Sequence, residues 1–357
     1  MGSMDYNDSA ANASFNSSVV PHARYVSAYI VPVIFSLIFL VGVVGNSLLI
    51  FIILRQKAMR TTPNIFIGSL ALGDLLLLLV SVPFYGMIYT LSDWPHGDFL
   101  CRLNGFLVTL SLGVSIFTLT ALSADRYMAI MHPMKRYTDS PNRRTVVIAA
   151  AIWLVAAAFA AVEGSARNMS IQHFDNAASM RICNSHPEEW GAWFTCFRTS
   201  MRFVVYFVVP IVIIGVLYLL MARSLWTSGS FTQQSEAAAR QTETRRKVAI
   251  LVLSIVVLFV ICWLPRHIYT LWFDCPSYGW YSMFWHVYKM VSFCLSFMNS
   301  CVNPVALFVL SDQFRKYFKR YLCCEWRDGL RGHTSTHWQT DQNVDSDTNY
   351  KTAMTNL

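Results

Sequence analysis

The feature that most constrains this chain is a series of long apolar stretches. Seven of them approach or exceed the roughly 20 residues that a helix needs to cross about 30 Å of hydrocarbon. With 55% hydrophobic and 13% charged residues, the chain is too apolar for an ordinary water-soluble domain. We therefore predict an all-α membrane protein, a seven-transmembrane helix bundle. Its spans are expected at about 28–54, 64–91, 99–131, 145–164, 198–226, 246–273 and 282–310.

The distribution of basic residues predicts the orientation of this bundle. Sixteen Lys and Arg side chains lie in the segments that follow spans one, three, five and seven, against five on the opposite side. The positive-inside rule then places the N-terminus outside the cell and the C-terminus in the cytosol. The same asymmetry accounts for the net charge of +8 without a nucleic-acid partner. Because residues 1–27 lack the apolar core of a signal peptide, we expect span one to act as the insertion signal.

The regions outside the bundle carry signals for covalent modification. We predict a glycosylated extracellular tail at 1–27, the bundle at 28–310, an amphipathic helix with a palmitoylation site at 311–324, and a disordered cytoplasmic tail at 325–357. A single sequon often arises by chance, but three within one polar tail favour glycans. The sequons on the predicted outer side begin at Asn7, Asn12, Asn16 and Asn168. The basic stretch FRKYFKRYL suits a short interfacial helix, and Cys323 and Cys324 after it suit palmitoylation.

Four cysteines lie on the predicted oxidising side of the membrane. Cys101 at the outer start of span three and Cys183 in the loop before span five are expected to form a disulfide. Cys196 and Cys275 also face outward, near the tops of spans five and six. The sequence leaves open whether these two pair.

Ionisable side chains inside the spans are candidate functional residues. Asp125 and Arg126 end span three, where a charge pair can reach water, so an interfacial anchor is the alternative. Asp74 lies in the middle of span two without a nearby basic residue, and a carboxyl group at that depth indicates function. Polar side chains at a comparable depth could hydrate Asp74 or help it hold a sodium ion. They are Asn46, Ser115, Asn299, Ser300 and Asn303.

These residues lie in motifs that resemble, in order, those of rhodopsin-like (class A) G-protein-coupled receptors. The matching positions are Gly45 with Asn46, Asp74 of "LALGD", Asp125-Arg126-Tyr127, Trp153, Pro210 with Tyr218, Phe259 with Cys262-Trp263-Leu264-Pro265, and Asn303-Pro304. One departure is Leu307, which stands where the last motif usually has Tyr. The stretches "FTLTALSADRY", "CWLPRH" and "NSCVNPVALFVLS" are most similar to the bombesin-receptor branch. "DWPHGDFLC" and "HPEEWGAW" favour its arthropod relatives, the CCHamide neuropeptide receptors.

The resemblance implies a mechanism of activation. A ligand that binds one helix arrangement better than another shifts the population toward it. In the resting state Asp125 would pair with Arg126. On activation Trp263 and Phe259 would repack, span six would swing about Pro265, and Tyr218 would support the freed Arg126. The resemblance implies that a heterotrimeric G protein would then be activated, and the family suggests Gq with calcium release.

The outer ends of the spans narrow the class of ligand. Val108 stands where monoamine receptors carry a carboxylate, and Phe297 where an opsin carries its retinal lysine. The outer ends are aromatic and of mixed charge, which suits an amidated peptide. We expect Arg202 and Arg266 to lie in the ligand pocket and to pair with Glu163 when the pocket is empty. Trp272 and Trp285 are either pocket residues or anchors in the membrane interface. The expected ligand-binding residues are Glu163, Arg202, Arg266, His267, Tyr269 and Lys289.

Other functional classes fit the sequence less well. The chain lacks HExxH, GxSxG and phosphate-loop motifs and a second mid-membrane Asp, so we expect no enzyme. Internal repeats typical of transporters are also missing. A class A receptor for another peptide or for a non-peptide ligand is the main alternative. The hydroxyl-rich tail implies receptor kinases and arrestin as partners, and a solvated tail without a phosphorylation code is the alternative. Thr355 to Leu357 fit the C-terminal ligand of a PDZ domain.

Overall fold

A computed structural model describes residues 7–90, 97–131, 141–173, 179–228, 236–275 and 282–322 of the chain. For residues 7–28 it describes the backbone alone, so the side chains of Asn7, Asn12 and Asn16 fall outside it. The predicted palmitoylation cysteines Cys323 and Cys324 and the tail with Thr355 and Leu357 also lie outside the described residues.

Seven apolar helices long enough to span a membrane form the bundle. This confirms the predicted fold class. The helices are α1 (Asn7–Arg55), α2 (Thr62–Thr90), α3 (Gly97–Met131), α4 (Pro141–Ala166), α5 (Gly191–Phe203) continuing into α6 (Val209–Ser228), α7 (Glu236–Asp274) and α8 (Met283–Leu310). Spans one to four lie in α1 to α4, span five in α5 and α6, span six in α7 and span seven in α8.

The bundle buries many polar side chains and exposes many apolar ones. Large aliphatic residues such as Leu37, Leu154 and Val162 are more than half exposed, as expected for a surface that faces lipid. By contrast, α3 is the most buried span and packs against α2, α4, α6 and α7. Its side chains therefore reach most of the bundle interior.

Span five begins earlier than the sequence predicts. The expected start was near 198, whereas α5 begins at Gly191, whose φ of 72° suits a residue without Cβ. The first turns are amphipathic: Thr195 and Thr199 are buried while Trp193 and Phe197 are exposed. Averaged hydropathy is low there, so it misses this part of the helix. Arg198 consequently lies inside span five and not in a loop.

A π-helical segment, Val204–Val208, joins α5 to α6 just before Pro210. Proline has no N–H to donate to the carbonyl one turn earlier, and such a gap in the ladder favours a wider turn. The structure therefore contains the bulge that the motif around Pro210 implies.

Two short antiparallel strands, which the sequence does not predict, lie between spans four and five. They are β1 (Asn168–His173) and β2 (Ser179–Asn184), with Met169 opposite Cys183. A disulfide joins Cys183 to Cys101 of α3, with the Cα atoms 5.6 Å apart, which confirms that predicted bridge. The backbone N–H of Met169 also donates to Asp98 at 3.1 Å. The hairpin is thus fixed to the outer end of α3.

The second pair of outward cysteines is also bonded. Cys196 of α5 and Cys275 after α7 form a disulfide with their Cα atoms 4.5 Å apart. One turn away, the Thr199 hydroxyl donates to the Asp274 carboxylate at 2.5 Å. The pairing of these two cysteines, which the sequence left open, is thus present. Together with this hydrogen bond it joins the ends of spans five and six.

The chain continues into α9 (Asp312–Leu322), which belongs to a second unit. Its buried residues, Phe314 and Phe318, lie four positions apart on one face, and Lys319 and Arg320 occupy its last turn. This is the short amphipathic helix predicted after span seven.

Candidate functional site

The bundle contains three groups of polar residues at different depths. We call them the outer site (Glu163, Arg198, Arg202, Arg266, His267), the central site (Asn46, Asp74, Ser300, Asn303) and the inner site (Asp125, Arg126, Tyr218). Outer denotes the end that the basic residues predict to be extracellular.

In the outer site, Glu163 of α4 faces two arginines of α5. Its Oε2 lies 3.4 Å from Nη1 of Arg198 and 4.0 Å from Nη1 of Arg202. Arg198 also donates to the Ser185 carbonyl at 2.9 Å. The sequence predicted the pairing of Arg202 with Glu163 but missed Arg198, because the early start of α5 had not been recognised. Its spacing of four residues from Arg202, one helical turn, was the available signal.

Arg266 of α7 is the basic residue that span six contributes to the outer site. The prediction paired it with Glu163, but the described ion pairs of Glu163 are with Arg198 and Arg202. The Arg266 guanidinium instead lies 5.2 Å from the ring centroid of Phe293 and 5.9 Å from that of Tyr269. At these distances the cation is attracted by both aromatic faces. Arg266 thus links span six to span seven.

His267 is the most enclosed polar residue of the outer site. It is 4% exposed, and its ring centroid lies 5.4 Å from Phe203 and 5.2 Å from Phe207. Its Nε2 has no hydrogen-bond partner among the described residues. Trp263, one turn deeper, is 6.2 Å away. His267 is therefore the outer-site residue next to the residues implied in activation.

The remaining predicted pocket residues lie toward the ends of spans six and seven. Tyr269 is buried, and Lys289 is partly buried on α8. Trp272 and Trp285 stack on each other with centroids 3.7 Å apart. This contact joins spans six and seven at their outer ends and is compatible with either interpretation of the two tryptophans.

In the central site, neutral donors surround a buried carboxylate. Asp74 is fully buried, with Oδ1 accepting from Ser300 and Oδ2 from Asn303, both at 2.8 Å. Asn46 donates to the backbone carbonyl of Ser300 at 2.8 Å, while its buried Oδ1 has no partner among the described residues. The predicted ligands Ser115 and Asn299 are also buried, but no described hydrogen bond joins them to Asp74.

A cation fits the chemistry of the central site. The available atoms are carboxylate, hydroxyl and amide oxygens, which are the donors that hard cations prefer. The unsatisfied Asn46 Oδ1 supplies an additional oxygen. A carboxylate without exposure to water retains its charge at low cost only if a cation joins it.

In the inner site, the Arg126 guanidinium pairs with the carboxylate of the preceding residue. Nε of Arg126 lies 3.1 Å from Oδ2 of Asp125, and Arg126 is 6% exposed. Tyr127 follows on α3 and is partly buried. Tyr218 of α6 donates its hydroxyl to the Ala249 carbonyl of α7 at 2.8 Å. In this arrangement Arg126 is held by its own helix, and Tyr218 joins spans five and six.

The residues implied as a switch lie between these sites. Phe259 and Trp263 are buried with ring centroids 6.1 Å apart, and Pro265 interrupts α7 two residues after Trp263. Pro304 interrupts α8. Leu307 is fully buried, so the position that usually carries a tyrosine hydroxyl packs here as an apolar side chain.

Comparison with known proteins identifies the family. Residues 45–306 match the profile of the 7 transmembrane receptor (rhodopsin family). The chain is 44% identical over 332 residues to the neuropeptide CCHamide-1 receptor of Drosophila melanogaster, covering 89% of this chain and 65% of that protein. It is 38% identical over 295 residues to bombesin receptor subtype-3 of Ovis aries, covering 81% and 74%. The chain thus spans less than two thirds of the length of the fly relative.

These matches confirm the resemblance that the motifs indicate, including its bombesin-receptor and CCHamide side. They also agree with the expectation that the chain is not an enzyme. The chain belongs to the rhodopsin family of seven-transmembrane receptors.

Proposed function

We propose that this protein is a plasma-membrane receptor for an extracellular amidated neuropeptide of the CCHamide or bombesin kind. The observation that carries the proposal is the 44% identity, over 89% of the chain, to a receptor named for a CCHamide neuropeptide. The outer site supports it, because charged and aromatic groups from spans four to seven offer contacts to a ligand with both polar and apolar parts. The N-terminus and the hairpin of β1 and β2 would face the extracellular side.

The signal would pass through the inner site to a heterotrimeric G protein, and Gq with calcium release is the proposed pathway. A ligand bound at the outer site would favour a repacked Trp263 and Phe259, and span six would move about Pro265. The Tyr218 bond to Ala249 would then break, because that movement separates spans five and six at the inner end. Arg126, released from Asp125, would contact the G protein.

Intracellular calcium provides the test. Cells that express the chain are challenged with CCHamide and bombesin peptides, and an Arg126→Ala variant with equal surface expression is the control. A response at low peptide concentration that the variant lacks is the expected result. Silence of the wild-type receptor at confirmed surface expression would contradict the peptide assignment. A response to lipids or small metabolites instead would favour the alternative, a class A receptor for a non-peptide ligand.

The central site is proposed to bind an allosteric sodium ion with Asp74, Ser300, Asn303 and Asn46 as its nearest oxygen donors. Ser115 and Asn299 complete the predicted set. Bound sodium would favour the resting arrangement and reduce agonist affinity. Replacing sodium by a large organic cation should therefore raise agonist affinity in wild-type membranes and have no effect in Asp74→Asn membranes. An equal effect in both would exclude the site.

The regions outside the bundle have proposed roles that are tested separately. Changing Asn7, Asn12, Asn16 or Asn168 to Gln should remove a glycan and so increase the mobility of the receptor on a gel. Palmitate on Cys323 and Cys324 should be lost in a double Ser variant. Receptor kinases and arrestin should be recruited to the Ser/Thr-rich tail after stimulation. Binding of a PDZ domain should require Thr355 and Leu357, and retention after deletion of Leu357 would exclude it.

A further inference from the structure

Arg202 has fewer polar contacts than its neighbour Arg198. Among the residues that the structure describes, the polar contact of its guanidinium is Glu163 Oε2 at 4.0 Å, beyond hydrogen-bond distance. Arg198 is closer to the same oxygen, at 3.4 Å, and also has the Ser185 carbonyl at 2.9 Å. Glu163 is therefore paired mainly with Arg198. The N–H donors of Arg202 are left available for another acceptor.

The charges around Arg202 do not balance. Two arginines share the single carboxylate of Glu163. Arg167 and Asp274 also lie within electrostatic range of Arg198, and they add one charge of each sign. One positive charge is thus in excess in this part of the described bundle. The Arg202 side chain is only 26% exposed, and an uncompensated cation inside a membrane span is costly.

Two buried polar atoms near Arg202 also need partners. The His267 Nε2 and the Tyr206 hydroxyl have no hydrogen-bond partner among the described residues, and each residue is 4% exposed. Arg202 lies within electrostatic range of both. Phe203, the residue after Arg202, packs on the His267 ring. A buried unsatisfied polar group is destabilising, so each of these atoms, like the guanidinium of Arg202, favours a bound ligand group that can accept a hydrogen bond.

We propose that Arg202 binds a carboxylate of the ligand, with the Tyr206 hydroxyl and the His267 Nε2–H as further donors. A carboxylate accepts several hydrogen bonds and supplies the missing negative charge. The group is the side chain of an Asp or Glu in the peptide, because an amidated peptide has no free C-terminal carboxylate. This inference rests on the proposed function, because it names the ligand group that the outer site of a peptide receptor would select.

The first test needs no ligand. Removing a surplus cation should stabilise the empty receptor, because Arg198 and Glu163 remain as a neutral pair. The melting temperature of the purified receptor in detergent should therefore rise in Arg202→Gln and stay unchanged in Arg202→Lys. Arg181→Gln, which removes an exposed arginine of β2, is the matched control and should not change it. A lower or unchanged melting temperature in Arg202→Gln would overturn the proposal.

The second test uses the fly CCHamide-1 peptide and analogues in which one acidic residue at a time is replaced by its amide. For the wild-type receptor, neutralising the bound carboxylate should reduce potency by roughly tenfold to a hundredfold. In Arg202→Gln the same neutralisation should have no effect. The analogue that loses potency identifies the residue that supplies the carboxylate.

The outcomes separate the two proposals. If the wild-type receptor responds but no analogue differs from its parent, or if the loss persists in Arg202→Gln, the carboxylate assignment is wrong. If the wild-type receptor does not respond to any peptide at confirmed surface expression, the peptide function is wrong. The melting temperatures still decide whether Arg202 carries a surplus charge in the empty bundle.

Discussion

Single residues set how closely the helices approach at the central site. Gly45 of α1 faces Pro304 of α8, and a Cβ on Gly45 would lie 2.7 Å from Cγ and 2.8 Å from Cβ of the proline ring. A proline ring within a helix has little freedom to move aside. One residue along the chain, Asn46 donates to Ser300, which in turn donates to Asp74. Gly45 therefore permits the close packing of α1 and α8 on which these contacts depend.

We expect Gly45→Ala to destabilise the receptor by about 1–3 kcal/mol, the usual range for overpacking a tight interior. Gly215→Ala is the matched control, because Gly215 is also helical but has nothing within 4 Å of its added Cβ. That change should stay within about 0.5 kcal/mol of wild type. The comparison is made by thermal denaturation of the purified receptor in detergent. Equal stability of the two variants would mean that α1 and α8 separate without cost.

Functional residues could be predicted where a side chain is unusual for its depth in the membrane. Asp74 was recognisable because a carboxyl group in an apolar stretch is costly, and the structure gives it Ser300 and Asn303 as partners. Arg198 was missed because its depth depends on where α5 begins. The partners of Arg266, two aromatic rings on spans six and seven, could not be predicted because they depend on the relative rotation of α7 and α8.

At the scale of elements, covalent and polar contacts join spans five and six at one end. The Cys196–Cys275 disulfide and the Thr199–Asp274 hydrogen bond both connect α5 to the end of α7. At the other end the described link is weaker, since Tyr218 donates to a backbone carbonyl of Ala249. Movement of span six should therefore be restricted at the outer end and easier at the inner end.

We expect the double change Cys196→Ala and Cys275→Ala to lower the melting temperature, because the outer ends of spans five and six then separate more easily. Removing a disulfide from a small secreted domain typically costs about 2–5 kcal/mol of stability. The loss here should be smaller, because the membrane keeps both helices inserted. Cys294→Ala, which removes a free cysteine, is the control. A double variant as stable as this control would show that the bridge adds nothing to the polar contact beside it.

Elements were predictable where apolar composition alone determines them. All seven spans were expected within a few residues of their described positions, except for the start of span five. There the amphipathic turns from Gly191 bury threonines and expose aromatic rings, a pattern that an average over a window conceals. The hairpin of β1 and β2 was not predicted, because its position depends on the disulfide to α3 and on the Asp98 contact.

At the scale of the whole molecule, two independent features agree on orientation. Both described disulfides lie at the end of the bundle with few basic residues, and disulfides persist in oxidising compartments. The described free cysteines all lie within spans. The second feature is the charge asymmetry of the sequence, sixteen basic residues against five. Each feature supports the predicted orientation, in which the hairpin and the outer site would lie outside the cell.

This orientation predicts how the intact cell exposes the chain. An antibody against an epitope tag at the N-terminus should label unpermeabilised cells, whereas a tag after residue 357 should be labelled only once the membrane is opened. Asn168 on β1 should carry a glycan that Asn168→Gln removes, because glycan transfer occurs on the same side. Labelling of the C-terminal tag on intact cells would place Glu163, Arg202 and His267 in the cytosol. The outer site could then no longer receive an extracellular peptide, so this single outcome would overturn both the orientation and the proposed receptor function.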